Sequence, residues 1–437
     1  MDSPSKRGKN LKNRSCSKSC LIFCLAIFVI FLLPHMKFGG FKERRPLPPP
    51  TGPIFSGNCD RPKRRMTSKW PLQAPDHLKN TMVHLSKPGE TQYAHMAMIE
   101  SMANGTLVAA FQASSGVEGS NDQHIVYATS TDVAGLYWTP AEPLPVPRMA
   151  AQWSPVMHTD SKGHLWLFYT EGRNCKFNVS PPRWMPGGDI KVTKWTPSSS
   201  KWKTPRTIYP QSAGGGVPKV LANKMIVLSS GEWALPYWSE KHSTGTCAFD
   251  STAEGAAGLL VSKNEGWDWE PRGSVTSGAT WLIENTVVEL DDGKLLMFFR
   301  TLKGLIYRST SADKGYSWTI AEATSLPNPD SKIHMLKLDD GMLALAYNNH
   351  GKLTRSLRRS RTFLDVAVSA NQGSTWTKLA RLESAEQPGL RAHYPTLHQV
   401  GCTLYVAYSK FYHEEYAYRS TNSSAELGIN LAALDLR

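Results

Sequence analysis

The chain has 437 residues, enough for two or three average domains or one large repeat fold, and 41% of them are hydrophobic, so a sizeable core is possible. Its net charge is +14, but residues 1–70 hold 15 Lys and Arg against three acidic residues, whereas the rest of the chain holds 35 against 33. The positive charge therefore belongs to an N-terminal arm, which excludes a basic body that binds nucleic acid, and no nucleic-acid partner is predicted.

The N-terminal arm has the pattern of a targeting segment. Six Lys and Arg between Lys6 and Lys18 precede an apolar run from Cys20 to Leu33. Because this run is shorter than the roughly 17–25 residues of a spanning helix, a cleaved signal peptide is the alternative to an uncleaved anchor. No small-x-small cleavage site follows the run, and the basic flank favours a cytosolic N-terminus. The sequence predicts a basic cytosolic tail over 1–19 and a signal-anchor transmembrane helix over 20–36.

A Pro-rich, basic segment over 37–74 follows and is predicted to be a stem. The arrangement predicts a type II protein of the Golgi or ER membrane with a lumenal domain, or a secreted protein if the anchor is cleaved. Four cysteines lie beyond the anchor: Cys59, Cys175, Cys247 and Cys402. An even number in an oxidising lumen indicates one or two disulfides, whose pairing the spacing leaves open. Asn104 and Asn422 begin glycosylation sequons.

From residue 75 the chain consists of short apolar runs that alternate with Gly, Asp and Asn turns, as in TLVAAFQA, HLWLFYT and KLLMFFR. Almost no stretch has sustained helical periodicity. Many short strands with regular turn signals are typical of an all-β sandwich, barrel or propeller.

A repeat decides among these three folds. The pattern Ser-x-Asp/Asn-x-Gly-x-x-Trp occurs over 262–269, 311–318 and 369–376, with an extra residue over 130–138 and in degenerate form up to Trp202. Its Trp residues are 64, 67, 49 and 58 positions apart, about one four-stranded blade each. Each copy lies between two apolar runs, so it is predicted to be a hairpin turn. The sequence predicts an all-β, six-bladed β-propeller over 75–437, behind the anchor helix and the stem.

This repeat is the Asp box, and through it the chain resembles the sialidase (neuraminidase) superfamily as a divergent member. Asp boxes lie away from the active site, so they predict the fold and not the chemistry. The resemblance implies a substrate whose anomeric carbon also bears a carboxylate. In the family three arginines hold that carboxylate, a Tyr attacks the anomeric carbon, a Glu takes the Tyr proton, and an Asp protonates the leaving group.

Three segments match the family's site. IENTVVELDDGKLLMFFR places Glu284 as the Tyr-activating Glu and Arg300 as a carboxylate-binding Arg. The alternative is structural: Glu284 would start an ordinary strand, and Arg300 would be a charge at the end of the partner strand. RTFLDVAVSANQGSTW places Arg361 as a second such Arg, with a basic surface loop as the alternative. AHYPTL places Tyr394 as the nucleophile, against a buried structural Tyr.

The first blade departs from the family pattern, because the segment Tyr93–Ala97 has His95 where the family's first Arg is expected. A His is shorter and cannot make a forked contact, so the carboxylate clamp is altered. His95 is itself a candidate acid, base or substrate ligand, with a polar residue satisfied inside a strand as the alternative. The loop SSGVEGSNDQH should supply the acid, with Asp122 as the candidate and Glu118 as the alternative.

Further residues are candidates for lining the pocket, since aromatic faces stack on sugars and polar groups bind hydroxyls. Trp153, Glu232 and His334 are the principal substrate-binding candidates, with His124 and Trp233 beside them. Most Trp residues in a propeller are packing residues, which is the alternative for the two Trp.

The sequence thus predicts a sialidase-type exo-glycosidase that removes a terminal acidic sugar, such as a sialic acid or a related 3-deoxy-ulosonic acid, without a metal or cofactor. Two alternatives stay open. His95 with the arginines could make the protein a polysaccharide lyase, or a glycosidase that acts next to a uronate. The propeller could also bind carbohydrate without catalysis, because folds are reused across functions.

Overall fold

The computed structural model describes residues 78–83, 93–173, 175–177, 179–240, 255–351, 360–384, 386–416 and 427–437. This part of the chain is all-β, with strands, turns and one 3₁₀ turn over 414–416 but no α-helix. No helix there is long and apolar enough to span a membrane. The predicted anchor and stem, Cys59, Cys247 and Asn422 lie outside the described residues.

The strands form six antiparallel sheets, which are the six predicted blades. Blade 1 contains β2 (Tyr93–Ser101), β3 (Leu107–Ser114), β4 (His124–Thr129) and β5 (Glu142–Pro143). Blade 2 contains β6 (Gln152–Thr159), β7 (Leu165–Glu171), β10 (Asp189–Thr196), β11 (Lys201–Trp202) and β12 (Arg206–Tyr209). A separate two-stranded hairpin, β8 (Lys176–Phe177) and β9 (Arg183–Trp184), is inserted between β7 and β10.

The remaining four blades repeat this meander. Blade 3 contains β13 (Lys219–Leu221), β14 (Ile226–Val227), β15 (Trp233–Ser239), β16 (Ala257–Ser262) and β17 (Glu270–Val275). Blade 4 contains β18 (Ile283–Glu289), β19 (Leu295–Arg300), β20 (Leu305–Ser311) and β21 (Glu322–Pro327). Blade 5 contains β22 (His334–Lys337), β23 (Leu343–Asn348), β24 (Leu364–Ser369) and β25 (Thr377–Glu383). Blade 6 contains β26 (Leu390–Val400), β27 (Thr403–Tyr412), β28 (Gly428–Asp435) and, at its outer edge, β1 (Leu78–Val83).

The innermost strands form a closed ring around the propeller axis. β26 contacts β2, β2 contacts β6, β6 contacts β13, and the ring continues through blade 3, β18 and β22 back to β26. The ring is closed by strands from both ends of the described chain, because β1 pairs with β28 in blade 6. The core lies between successive blades, where the apolar faces of neighbouring sheets pack against each other.

The predicted hairpin turns are confirmed, since each Asp box connects the third and fourth strand of a blade. In the blade 3 copy, the Ser262 hydroxyl accepts the Gly266 amide at 2.8 Å, and the Trp269 indole donates to the Gly266 carbonyl at 3.0 Å. The same pair of bonds recurs in the copies over 311–318 and 369–376. These contacts lie within one short segment, which is why the motif predicts the turn from sequence alone.

Four of the innermost strands contain a β-bulge near their beginning. In each bulge one non-glycine residue has a left-handed backbone, and these residues are Met96, Ser154, Glu284 and Tyr394, with φ of 60°, 50°, 49° and 58°. A side chain other than Gly rarely adopts this conformation, and such positions recur at functional sites because the bulge turns the side chain out of the sheet pattern. Glu284 and Tyr394 are therefore presented by the same backbone device on two blades.

Candidate active site

The site lies at one end of the propeller axis, where the innermost strands begin. Glu284 is the second residue of β18, Tyr394 stands in the bulge of β26, and Arg300 ends β19 directly opposite Ile283. Because all innermost strands start at this end, residues distant in sequence come together there. The Glu284, Arg300 and Tyr394 side chains, predicted from separate segments, are in direct contact.

Arg300 is the centre of these contacts. Its Nη1 donates to Glu284 Oε1 at 2.8 Å and also to the Tyr394 hydroxyl, while its Nε donates to Asp330 Oδ1 at 2.7 Å. Burial opposes the charge of Arg300, but Glu284, Tyr394 and Asp330 outweigh burial and raise its pKa, so the guanidinium stays charged. One cation thus fixes the Tyr and the Glu relative to each other.

The second carboxylate oxygen of Glu284, Oε2, is buried and has no hydrogen-bond partner among the described residues. An unmet buried acceptor is costly, and it persists where a reaction uses it. Burial raises the pKa of the Tyr394 phenol, although Arg300 and Arg361 oppose the rise. Tyr394 is therefore neutral at neutral pH and needs a base in order to attack.

Two further arginines lie within electrostatic reach of Tyr394. The Arg361 guanidinium carbon lies 5.6 Å from the centre of the Tyr394 ring, on the scale of a cation–π contact. Arg391 was not predicted from the sequence. Its backbone forms a bridge with Arg361, in which the Arg361 amide donates to the Leu390 carbonyl at 3.0 Å and the Ala392 amide donates back to Arg361 at 2.7 Å.

Arg391 belongs to the same electrostatic cluster. Burial lowers its pKa, and the nearby charge of Arg361 lowers it further. The charges of Arg300, Arg361 and Arg391 therefore all interact with Tyr394, and those of Arg361 and Arg300 also repel the charge of Arg391. A bound anion would relieve that repulsion. His95 stands where an arginine was expected from the sequence, and blade 6 contributes Arg391, which was not expected.

His95 packs against the nucleophile candidate. Its ring centre lies 4.1 Å from the Tyr394 ring and 4.8 Å from the His393 ring, and its Nδ1 is 2.9 Å from the Ser409 hydroxyl. Burial lowers its pKa well below the usual value, and Arg361 and Arg391 add to the effect. His95 is therefore neutral, and it does not replace the charge of an Arg.

His393 was also missed from the sequence. Its Nδ1 is 3.0 Å from Arg361 Nη1, and since a guanidinium only donates, Nδ1 is the acceptor and Nε2 carries the proton. Nε2 is buried without a partner among the described residues. Burial lowers the pKa of His393, so the ring stays neutral and orients Arg361 without repelling it.

Lys332 supports the bulge that carries Tyr394. Its Nζ donates to the Pro395 carbonyl at 2.5 Å and to the Thr396 hydroxyl at 3.2 Å, and the residue is 1% exposed. Burial lowers the pKa of Lys332 to about 7, although Glu284 opposes the change. This buried lysine fixes the two residues after Tyr394 from the neighbouring blade.

The two acids of the blade 1 loop have different surroundings. Glu118 is exposed as a residue, but its carboxylate Oε1 accepts from the buried Gln112 amide at 3.0 Å in a partly buried hydrogen bond. Desolvation by the surrounding protein raises the pKa of Glu118; the nearby charge of Glu284 adds to the rise, while the Gln112 hydrogen bond and the charge of Arg361 oppose it. The Asp122 carboxylate instead accepts from the Ser115 amide at 2.7 Å. Burial is outweighed there by the Ser115 hydrogen bonds, which lower the pKa of Asp122.

Five other candidates lie outside these contacts, three of them away from the loops of the site. Glu232 lies at the opposite end of the axis, where it binds Arg272 at 2.7 Å and Lys314 of an Asp box at 3.0 Å. Trp233 is buried in the blade 2–blade 3 core. His334 is 2% exposed, and its Nδ1 accepts the Leu397 amide at 2.9 Å.

The other two candidates lie in or beside the site-side loops. Trp153 is 2% exposed, adjoins the bulge at Ser154, and has an indole N–H without a partner among the described residues. His124 Nδ1 is 2.8 Å from the Asp122 carbonyl in the acid loop.

The sequence model of the BNR repeat-like domain family matches residues 105–419. No curated protein sequence matches this chain. Among solved structures, a protein of unknown function from Dyadobacter fermentans is similar over 84% of this chain and 100% of its own, with 15% identity and a TM-score of 0.64.

Sialidases are among the other similar structures. A Hadza microbial sialidase shares 17% identity over 82% of this chain and 68% of its own, with a TM-score of 0.62. The NanB sialidase from Streptococcus pneumoniae shares 14% identity over 82% of this chain and 70% of its own, with a TM-score of 0.59. At these identities the similarity establishes the fold alone.

Proposed function

We propose that this chain, which belongs to the BNR repeat-like domain family and has a sialidase-like propeller, is a glycoside hydrolase that removes a terminal acidic sugar from glycans. One observation carries the proposal: the Tyr394 hydroxyl and the Glu284 carboxylate bind the same Nη1 of Arg300, with a free Glu284 oxygen beside them. A Tyr, a base and a cation in contact are the parts that a tyrosine nucleophile needs.

The first half of the reaction forms a covalent sugar–enzyme intermediate. The Tyr394 oxygen attacks the anomeric carbon, and its proton passes to Glu284. The bond between the anomeric carbon and the glycosidic oxygen breaks, and that oxygen takes a proton from Glu118. Since the pKa of Glu118 is raised, it holds a proton at higher pH than an ordinary Glu does, as a general acid requires.

The second half returns the enzyme to its starting state. Ionised Glu118 takes a proton from water, whose oxygen attacks the anomeric carbon, while the bond to Tyr394 breaks and the phenolate recovers its proton from Glu284. The sugar leaves with the water oxygen, so atoms and charges balance. Two displacements at one carbon give retention of configuration.

The acidic character of the proposed substrate rests on Arg300, Arg361 and Arg391. A carboxylate on the reacting carbon would lie among three guanidinium groups, which bind it by charge-assisted and partly forked bonds. A neutral Tyr rather than a carboxylate as nucleophile avoids repulsion with such a substrate.

The test uses fluorogenic glycosides of sialic acid, deaminated sialic acid and Kdo with the purified propeller, beginning at residue 72. Glu284→Gln and Tyr394→Phe keep the size of each side chain and remove the base and the nucleophile. We expect release by the parent and a loss on the order of 10³-fold or more in both variants. Thermal unfolding of all three proteins controls for folding.

Either of two results would overturn the proposal. If the parent releases no fluorophore from any of the three glycosides, the proposed hydrolase activity is wrong for these sugars. Release that survives in both variants places the chemistry elsewhere. Binding of an acidic glycan without release, unchanged in Tyr394→Phe, would instead identify a non-catalytic carbohydrate-binding propeller.

A uronate lyase is the second candidate, favoured by the neutral His95 ring 4.1 Å from Tyr394. In that reaction His95 takes the proton next to the uronate carboxylate, a double bond forms in the ring, and the neighbouring C–O bond breaks, with Tyr394 protonating the leaving oxygen. The product is unsaturated and absorbs ultraviolet light. Such absorbance with polyuronates, lost in His95→Gln, would favour the lyase over the hydrolase.

We also propose that the protein is anchored in a secretory-pathway membrane by residues 20–36, with the propeller in the lumen. Cys175 and Cys402 are both disulfide-bonded, as predicted, and disulfides persist in oxidising compartments. Protease protection of the propeller in sealed microsomes, with residues 1–19 accessible, is the expected result. A cytosolic, protease-sensitive propeller would contradict it.

A further inference from the structure

We propose that Trp184, in the β8–β9 hairpin of blade 2, is the positioning residue that holds the loop of the general acid over the site. The inference rests on the proposed function, because Glu118 is the acid only in that reaction. Trp184 lies in a different blade from Glu118 and is separated from it by more than a full blade of sequence.

Trp184 binds the acid loop at two points. Its backbone amide donates to the Gly119 carbonyl at 2.8 Å, and its indole Nε1 donates to the Asn121 side-chain oxygen at 2.9 Å. Glu118 immediately precedes the first of these residues. The loop position of the acid is therefore fixed by backbone and side chain of a single residue.

Gly119 allows this close approach. It has φ of 81°, and a Cβ there would lie 2.5 Å from the Trp184 carbonyl oxygen. Its amide donates to the Gln123 side-chain oxygen at 2.8 Å, so both of its backbone groups are fixed. Any residue with a side chain would push the loop away from the hairpin.

The hairpin is itself fixed on both sides. The Trp184 ring packs on Gly172, where a Cβ would lie 2.8 Å from the ring, and Lys176 Nζ stands 4.4 Å from the ring centre. Next to it, Arg183 makes a forked ion pair with Glu414, at 2.9 and 3.2 Å. Glu414 follows β27 in blade 6, the blade that carries Tyr394. The hairpin therefore connects the acid loop with the blade of the nucleophile.

A loosened loop would affect the first half of the reaction to a degree that depends on the leaving group, whereas the second half starts from the same intermediate for every substrate. Protonation of the leaving oxygen needs Glu118 within hydrogen-bond reach, whereas attack by Tyr394 does not. A phenol is a good leaving group and departs with little help from an acid. A sugar hydroxyl is a poor leaving group and needs the proton from Glu118. The structure thus assigns to Trp184 an effect that depends on the leaving group.

The experiment compares the parent with Trp184→Phe, which keeps an aromatic ring and removes the Nε1 donor, and with Asn121→Ala, which removes its acceptor. Each protein is assayed on two substrates that carry the same acidic sugar. In one the leaving group is a phenol, and in the other it is the hydroxyl of a second sugar. We expect kcat/KM for the sugar leaving group to fall at least about 10-fold more than kcat/KM for the aryl one, because kcat/KM reports the first half of the reaction, in which the two leaving groups differ. The double variant should be no worse than either single variant.

Trp267→Phe is the matched control, because Trp267 is 67% exposed in the blade 3 Asp box at the other end of the propeller. This substitution should leave the kinetic parameters on both substrates unchanged. Equal losses of kcat/KM on both substrates in a folded Trp184→Phe protein would overturn the inference while leaving the hydrolase intact. A parent inactive on every acidic glycoside would instead overturn the proposed function, and the inference with it.

Discussion

Glu118 and Asp122 lie in one loop of blade 1, but their surroundings shift the pKa values of the two carboxyl groups in opposite directions. The protein around Glu118 raises its pKa, whereas hydrogen bonds from Ser115 outweigh burial and lower the pKa of Asp122. Two acids whose pKa values are pushed apart indicate which one donates a proton and which one stays ionised. The loop therefore has one candidate acid and one structural carboxylate.

The first prediction separates these two residues. Glu118→Gln should lower kcat on a sugar leaving group by about 10²–10⁴-fold, because it removes the transferable proton. Asp122→Asn keeps the acceptor for the Ser115 amide and should leave kcat near the parent value. Steady-state kinetics of both variants make the comparison. The reverse order of losses would make Asp122 the acid, as the sequence alone suggested.

The second prediction concerns pH. A general acid works only while protonated, so activity should fall as pH rises through the pKa of Glu118, which is raised from its usual 4.5. The high-pH limb of kcat/KM should therefore lie above that value in the parent and disappear in Glu118→Gln. An unchanged limb in the variant would show that another group titrates there.

The third prediction tests the arginine that the sequence did not reveal. Arg391→Lys replaces a forked cation by a point charge beside Arg361, and it should lower kcat/KM for a carboxylate-bearing substrate by about 10–100-fold, the range of a charged hydrogen bond. Most of the loss should be in KM. Arg308→Lys serves as the control, because that side chain is 42% exposed and pairs with Glu322. A loss confined to kcat would show that Arg391 does not bind the ground-state anion.

The fourth prediction concerns Glu232, placed in an ion pair with Arg272, whose side chain is 1% exposed. Glu232→Gln should destabilise the protein by about 1–3 kcal/mol and leave KM unchanged, because it weakens the support of a buried guanidinium. Glu270→Gln, which removes the other carboxylate on Arg272 from a 43% exposed position, should cost less. Denaturant unfolding and initial rates check both variants. A raised KM with normal stability would show instead that Glu232 binds the substrate, as the sequence suggested.

The fifth prediction follows from the neutral histidines around the axis. Burial lowers the pKa of His158 and His398 from 6.5 to about 4, so between these values the unfolded chain binds protons that the folded protein does not. Stability should be complete above pH 6.5 and should fall with decreasing pH, by up to about 1.4 kcal/mol per pH unit for each histidine. His158→Phe, which keeps the edge contact with Trp233, should make the decline shallower. Parallel curves for the two proteins would contradict this.

The fold was predictable because its sequence signal is local. In three of the Asp boxes the Ser hydroxyl binds an amide four residues away, so the repeat indicated the blades and their hairpin turns without knowledge of distant contacts. The closing strand β1 gave no such signal, because only its pairing with β28 shows that it belongs to blade 6.

The site was predictable in part. Glu284, Arg300, Arg361 and Tyr394 stand at recognisable places in strands, and the structure brings them together. Arg391 and His393 lie on the same strand as Tyr394, and alternation along LRAHY was the signal that these two share a face, whereas only the bulge brings Tyr394 beside them. The choice between Glu118 and Asp122 was out of reach, since Trp184 fixes that loop from a distant position in the sequence and Gln112 binds Glu118 from the preceding strand.

The closing strand also determines how the propeller would respond to tension. Since β1 precedes the first blade in sequence and pairs at the edge of the last one, any pull transmitted along the upstream chain arrives first at the seam of the ring. The load would be borne by the backbone hydrogen bonds between β1 and β28 before any other blade is strained. Detachment of the six residues Leu78–Val83 would expose the edge of β28. It would also remove the strand pairing that connects the two ends of the propeller, without cutting the chain.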